Sequence, residues 1–200
     1  MKNVYLRSML AAACAATLAA CGGSGGNMYL SGSVIGLAKT GLILQNGGEE
    51  LPVTAGSSSF VFVNLIKSED RYDIKIKQQP KGATCTMTNG SGKANSYSVS
   101  TAYVSCITDT YALSGSITGL SASGLTLVNG ISGSISPLQG ATTFTFPAVA
   151  DGSTYNLSIS SQPAGLTCKF QGSTSPDGHD IVGVMGSGPV SSLALNCAPK

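Results

Sequence analysis

The sequence predicts an all-β protein in which two tandem β-sandwich domains, each with about seven strands, follow an N-terminal export segment. Three observations support this prediction. The chain repeats itself at an offset of 83 residues, as Cys85 and Cys168 illustrate. Short runs of β-branched and aromatic residues are separated by Gly, Ser, Asn and Pro, which is typical of strands joined by turns. Beyond the N-terminal segment, no stretch shows the apolar period of an amphipathic helix.

The export segment comprises residues 1–20. Lys2 and Arg7 form its basic part, and the apolar run that follows is too short to span a bilayer. The run ends in Leu18-Ala19-Ala20-Cys21, which resembles the lipobox of bacterial lipoproteins. The resemblance implies cleavage before Cys21, lipidation of Cys21 and a flexible Gly/Ser tether over residues 21–27. An ordinary secretory peptide that leaves Cys21 unmodified is the alternative.

The charge of the chain argues against a polyanionic partner. The formal net charge is +2, and Lys2 and Arg7 account for it, so nine basic and nine acidic residues remain after cleavage. A neutral chain offers no surplus of positive charge for binding nucleic acid or anionic lipid.

Gly22 follows Cys21 where inner-membrane lipoproteins carry Asp, so the resemblance implies passage to the outer membrane.

The internal repeat divides the remaining chain into residues 28–109 and 110–200. The second repeat has an insertion of eight residues before Cys197. At the junction near Asp109 we expect few contacts between the repeats. The segments that match are Leu30–Ser33 with Leu113–Ser116, Asn46-Gly47 with Asn129-Gly130, Tyr72 with Tyr155, and Gln79-Pro80 with Gln162-Pro163. A shared turn, tyrosine and cysteine at one offset indicate two copies of one structural unit.

The strands can be assigned in order along the first repeat. Asn46-Gly47 predicts a type I′ hairpin turn. Tyr72, Ile74 and Ile76 alternate with polar residues and should face the core, and Pro80 ends their strand. The predicted strands cover residues 30–35, 42–44, 60–65, 72–77, 84–88 and 96–106.

Four cysteines remain after Cys14 leaves with the export segment and Cys21 takes lipid. An even number in an oxidising compartment predicts disulfides, although four cysteines allow three connectivities. Pairing within each repeat is favoured, because the copies place equivalent cysteines at equivalent sites. The expected bonds are Cys85–Cys106 and Cys168–Cys197.

The order of these motifs resembles bacterial Ig-like and transthyretin-like sandwich modules, such as collagen-adhesin B-type and carboxypeptidase-regulatory-like domains. The resemblance covers nearly all of residues 28–198 and implies the fold, not an activity. Some adhesin domains of this kind carry a Lys–Asn isopeptide bond. Lys39 is placed to start one, but Ser121 or Ala122 stands at its counterpart, so a disulfide is the expected cross-link.

Candidate chemistry centres on His179, the only histidine. It lies in a loop with Asp177 and Asp180. The two carboxylates and the imidazole could bind a metal ion, and the imidazole could act as a general base. Asp177-Gly178 is also an ordinary turn signal, and a solvated turn is the favoured interpretation. The Gly-x-Ser-x-Gly of residues 22–26 lies in the tether without the strand and helix that a nucleophile elbow needs. The carboxylate pairs Glu49-Glu50 and Glu69-Asp70 fit solvated turns better than glycosidase chemistry.

Two surface candidates complete the search. Lys75, Lys77 and Lys81 fit a solvated face better than a site for an anionic polymer. Tyr72 and Tyr155 could stack on sugars, but their register favours the core, and the chain has no Trp. We therefore expect a non-enzymatic outer-membrane lipoprotein with a structural, spacer or adhesive role, a protein partner and no cofactor. A glycan- or peptide-binding module is the alternative, and an enzyme centred on His179 is a second.

Overall fold

A computed structural model describes residues 28–130 and 132–200, so the export segment, Cys21 and the tether lie outside the described residues. The described chain is all-β apart from one 3₁₀ turn at Ser98–Ser100, and among these residues no helix is long and apolar enough to cross a membrane. The first repeat contains β1 (Ser31–Ile35), β2 (Leu42–Asn46), β3 (Glu49–Val53), β4 (Ser59–Val61), β5 (Arg71–Gln78), β6 (Ala83–Thr88), β7 (Ser91–Lys93) and β8 (Ala102–Thr108).

The second repeat has the same number of strands in the same order. They are β9 (Thr110–Thr118), β10 (Thr126–Asn129), β11 (Ser134–Ile135), β12 (Thr143–Ala150), β13 (Thr154–Ser161), β14 (Leu166–Phe170), β15 (Asp180–Val184) and β16 (Val190–Pro199). Each repeat forms two four-stranded sheets. Their orders are β4-β1-β8-β6 and β3-β2-β5-β7 in the first repeat, and β12-β9-β16-β14 and β11-β10-β13-β15 in the second.

The first and last strands of each repeat are neighbours and run parallel. Val34 of β1 pairs with Val104 of β8, and Leu195 of β16 pairs with Ile117 of β9. The other ladders are antiparallel, as expected for short connections. Because β1 and β8 point the same way, the chain enters a repeat at one end of the strands and leaves it at the other end.

Each repeat has its own apolar core. The first core lies within residues 30–106 and the second within residues 113–197. Leu30, Phe62 and Val104 are fully buried in the first, as are Leu127 and Leu195 in the second. Burial of apolar side chains at about 25 cal/mol per Å² is the main force that holds such sandwiches together.

The repeated tyrosines belong to these cores, as their register predicted. Tyr72 and Tyr155 are buried. A Cβ on Gly92 would lie 3.0 Å from the Tyr72 hydroxyl, and one on Gly183 would lie 2.2 Å from the Tyr155 hydroxyl. Each tyrosine ring therefore covers a glycine on the neighbouring strand of its sheet, β7 or β15. This shared packing explains why the tyrosines recur at the repeat offset.

The structure corrects three details of the strand prediction. Each repeat has eight strands and not seven. In the first repeat the strands absent from the prediction are Ser91–Lys93 and the edge strand Glu49–Val53, which forms the second arm of the hairpin. Its Pro52 is tolerated at a sheet edge, where no partner needs its missing N–H. The strand predicted over residues 60–65 is only Ser59–Val61, and that over residues 96–106 begins at Ala102. A side-chain turn explains the late start, since Asn95 Oδ1 accepts from the Tyr97 N–H at 2.9 Å.

Candidate functional site

The four cysteines of the two repeats form the bonds Cys85–Cys106 and Cys168–Cys197. In each repeat the two cysteines lie directly opposite each other on antiparallel strands, β6 with β8 and β14 with β16. All four side chains are buried or nearly so. The bonds therefore fix the last strand of each repeat to its antiparallel neighbour.

A glutamine clamp supports each of these bonds. Gln79 Nε2 donates to the Cys85 carbonyl at 2.9 Å, and the Cys85 N–H donates to Gln79 Oε1 at 2.8 Å. Gln162 makes the same pair with Cys168, at 2.9 and 2.7 Å. The side-chain amide of the glutamine thus takes the place of a neighbouring strand beside the cysteine. Each of its hydrogen bonds satisfies a backbone N–H or carbonyl group of the cysteine. The sequence showed the repeated Gln-Pro pair but not this role.

The junction between the repeats carries a small number of specific contacts. Asp109 alone separates β8 from β9, and its N–H donates to the Gly82 carbonyl at 3.0 Å. Its own carbonyl accepts from the Asp151 N–H at 2.9 Å. Lys39 Nζ reaches across from the first repeat and lies 2.6 Å from Asp151 Oδ1 and 2.7 Å from the Asp151 carbonyl.

Burial distinguishes the Lys39–Asp151 pair from a surface ion pair. The two side chains are only 23% and 12% exposed, whereas those of Lys75 and Asp73, also paired at 2.6 Å, are 71% and 56% exposed. Water therefore screens the charges of the Lys75–Asp73 pair more than those of the Lys39–Asp151 pair. Lys39, once a candidate for an isopeptide bond, thus binds a carboxylate of the other repeat.

We expect a double-mutant cycle on Lys39→Met and Asp151→Asn to give a coupling energy of about 1–2 kcal/mol, because the pair is partly desolvated and charge-assisted. The matched cycle on Lys75→Met and Asp73→Asn should give less than about 0.5 kcal/mol. Urea unfolding at low ionic strength of the four variants and the two double variants measures both, because urea does not screen charges. Equal coupling in the two cycles would show that the junction pair adds nothing beyond a surface contact.

The His179 loop is a hydrogen-bonded turn. His179 Nδ1 lies 3.1 Å from Asp177 Oδ2, and His179 Nε2 lies 3.2 Å from Gln162 Nε2. The Ser175 hydroxyl, then the His179 N–H and the nearby imidazole, hold the pKa of Asp177 below its ordinary value. Both ring nitrogens thus have polar neighbours within the loop and the glutamine clamp. Among the described residues, no group of three or more His, Cys, Asp or Glu side chains could hold a metal ion.

The carboxylate pairs of the first repeat take part in local structure. Glu49 Oε1 accepts from the Val63 N–H at 2.7 Å, and Glu50 of β3 pairs across β2 with Lys77 of β5. Asp70 Oδ2 accepts from the Lys67 N–H at 3.0 Å. Glu69 pairs with Lys93 at 3.1 Å. The acidic residues and the nearby lysines therefore neutralise one another on solvated surfaces.

The described surface carries open clefts of modest size. One of about 520 Å³ is lined by Asn46, Gly47, Arg71, Tyr72, Asp73, Ser91 and Gly92. Its tyrosine is buried against Gly92, and its guanidinium and carboxylate carry opposite charges. This cleft therefore offers no exposed aromatic ring for a sugar. The exposed tyrosines of the first repeat, Tyr29, Tyr97 and Tyr103, lie outside this cleft.

Comparisons with known proteins find structural likeness only. No family model and no curated protein matches the sequence. The Bacillus anthracis TIE protein is similar over 83% of this chain and 34% of its own, with 11% identity and a TM-score of 0.48. A pilus adhesin from Lactobacillus rhamnosus GG is similar over 82% of this chain and 29% of its own, with 11% identity and a TM-score of 0.40.

A third solved structure is matched over nearly all of its chain. The major pilin protein from Streptococcus pyogenes is similar over 87% of this chain and 97% of its own, with 11% identity and a TM-score of 0.32. The chain spans only about a third of the length of the first two proteins. At such identities and TM-scores, no role of these proteins carries over to this chain.

Proposed function

We propose that this protein is a non-enzymatic lipoprotein of the outer membrane, in which two sandwich repeats act as a spacer and interaction module. The lipid on Cys21 anchors it, and the repeats carry its far end away from the bilayer. Its partner is a protein of the envelope or cell surface. The single observation that carries the proposal is the parallel pairing of the first and last strand in each repeat.

Parallel pairing matters because it decides where the chain leaves each unit. A repeat whose first and last strands were antiparallel neighbours would return the chain to the end at which it entered. Here each repeat adds the length of its strands, and one residue, Asp109, joins β8 to β9. The disulfides and the Lys39–Asp151 pair resist bending and fraying along this path. These are properties that a spacer requires.

The anchor is tested by Cys21→Ser. We expect wild-type protein in the membrane fraction, with an acylated Cys21 as its first residue, and we expect the variant to be released completely. Several acyl chains hold a protein firmly, whereas the neutral repeats have no comparable attraction for lipid. Mass spectrometry of the N-terminal peptide and fractionation of membranes measure both results.

The spacer role needs a separate measurement. Strands of about eight residues at 3.3 Å each place the far end of the second repeat roughly 50 Å from the start of the first. Energy transfer between a dye at Lys200 and a dye in the bilayer should therefore be weak. Efficient transfer with an intact anchor would mean that the repeats lie flat, and an unacylated, freely soluble wild type would refute the anchor itself.

A further inference from the structure

Four of the eight exposed large apolar side chains of the first repeat lie at one end of it. Tyr29, Val63, Leu65 and Tyr97 are all exposed, and Tyr97 is 83% exposed. None of the four lies within one of the sixteen strands. Large exposed apolar side chains that lie close together are the kind that mark contact surfaces.

Backbone contacts bring these residues to the same end. Met28 and Ile66 form an antiparallel bridge, which sets Tyr29 beside the segment that contains Val63 and Leu65. The Ser31 hydroxyl donates to the Val99 carbonyl at 3.5 Å, which brings the loop with Tyr97 to the start of β1. This set of four side chains, termed the entry end, lies where the chain comes out of the tether, opposite to the junction with the second repeat.

The charges near the entry end do not favour an anionic or a cationic partner. Three basic residues lie in or next to these segments, Lys67, Arg71 and Lys93, and three acidic ones, Glu49, Glu69 and Asp70. Glu69 is paired with Lys93. A surface of tyrosines and aliphatic residues with balanced charge suits a zwitterionic lipid interface, where tyrosine rings lie at headgroup depth with the hydroxyl in water.

The length of the tether limits how far the entry end can lie from the bilayer. Seven residue steps separate Cys21 from Met28. Even a fully extended chain spans at most about 3.6 Å per residue, so the entry end lies within about 25 Å of the anchored cysteine. Because the tether is this short, the bilayer is present at a high effective concentration beside the entry end. A weak apolar contact is then sufficient to dock the entry end on the bilayer.

We propose that the entry end docks on the bilayer interface, inserting Tyr29, Val63, Leu65 and Tyr97 among the lipid headgroups and holding the repeats upright. This proposal rests on the proposed lipid anchor. It predicts a contact that is insensitive to salt, because burial of apolar surface and not charge attraction drives it.

The test uses a single introduced tryptophan, since the chain has none. Tyr97→Trp reports on the entry end. Leu138→Trp is the matched control, because Leu138 is 82% exposed and lies in the loop before β12, at the end of the second repeat away from the junction. Cys21 is the one cysteine after the export segment that is outside the disulfides. Its thiol can therefore be coupled to maleimide lipid in phosphatidylcholine vesicles, whether or not the native protein is acylated.

Brominated phosphatidylcholine in the vesicles should quench the tryptophan of Tyr97→Trp several-fold more than that of Leu138→Trp, at low and at high salt. Equal, weak quenching together with full access to iodide would overturn the proposal. Protection from iodide without quenching by bromolipid would also overturn it and would assign the entry end to a protein surface. The Tyr29→Ser, Val63→Ser double variant, combined with Tyr97→Trp, should lose most of the quenching.

Absence of an acyl group on Cys21 in the native protein would refute the proposed anchor only. The maleimide-coupled chain would still show whether the entry end contacts lipid. The two proposals therefore fail on different measurements.

Discussion

Replacing both cysteines of one bond with alanine, as in Cys85→Ala with Cys106→Ala, should lower the free energy of unfolding of that repeat by about 3–4 kcal/mol. The sequence separations across the bonds are 21 and 29 residues. Chain entropy released in the unfolded state gives losses of this size for loops of this length. Alanine is preferred to serine because these sites are buried, and an unpaired hydroxyl there would add its own cost.

Guanidinium unfolding of the two double variants measures the effect, with the wild type in reducing buffer as an independent check. Since the cores are separate, loss of one bond should lower the transition of its own repeat more than that of the other. The 29-residue separation should give a slightly larger loss than the 21-residue one. A loss below about 1 kcal/mol in both variants would mean that the bonds add little to strands that are already well paired.

The internal repeat is the reason that so much of the fold could be predicted. Two copies of one pattern reveal which positions the structure fixes, such as Tyr72 and Tyr155, and which it leaves free. Alternation along the strand of residues 72–77 predicted its buried face, and Tyr72 and Ile74 are buried. The cysteine pairs followed from the equivalence of the copies. Local pattern and repetition both act at short range in sequence, so both are visible without coordinates.

The missed features depend on contacts that short-range patterns do not encode. The edge strand Glu49–Val53 has acidic residues and a proline, which lower strand propensity, and only its hairpin partner makes it a strand. The Gln79 clamp needs the chain to turn back so that residue 85 lies beside the amide. Lys39 and Asp151 are 112 residues apart, and neither has a counterpart of like charge at the repeat offset.

The entry end could not be predicted for a related reason. Tyr29, Val63 and Tyr97 occur in three separate segments, and each is unremarkable by itself. Only the bridge between Met28 and Ile66 and the contact of Ser31 with Val99 place them at one end of the sandwich. Single exposed apolar residues are common on protein surfaces, so their grouping and not their presence carries the signal.

Gly36→Ala should destabilise the first repeat by about 3 kcal/mol, whereas Gly47→Ala should cost only about 1 kcal/mol. Both glycines have positive φ, +72° and +57°, so both substitutions carry the left-handed penalty. They differ in surroundings. A Cβ on Gly36 would lie 2.2 Å from the Cys106 carbonyl oxygen, and a Cβ on Gly47 would meet nothing within 4 Å. Guanidinium midpoints at constant denaturant slope measure both losses.

The difference between these two variants isolates the close approach of β1 to β8. Gly36 follows β1, and its neighbour in the parallel pair carries a disulfide, so the backbone at Cys106 has little freedom to retreat. The second repeat has the same arrangement at Gly119, where a Cβ would lie 2.1 Å from the Cys197 carbonyl oxygen. Gly119→Ala should therefore match Gly36→Ala, and faster amide exchange in the paired strands should accompany both losses. If Gly36→Ala cost no more than Gly47→Ala, the parallel pair could separate locally without loss, and it could not fix the direction in which the chain leaves the repeat.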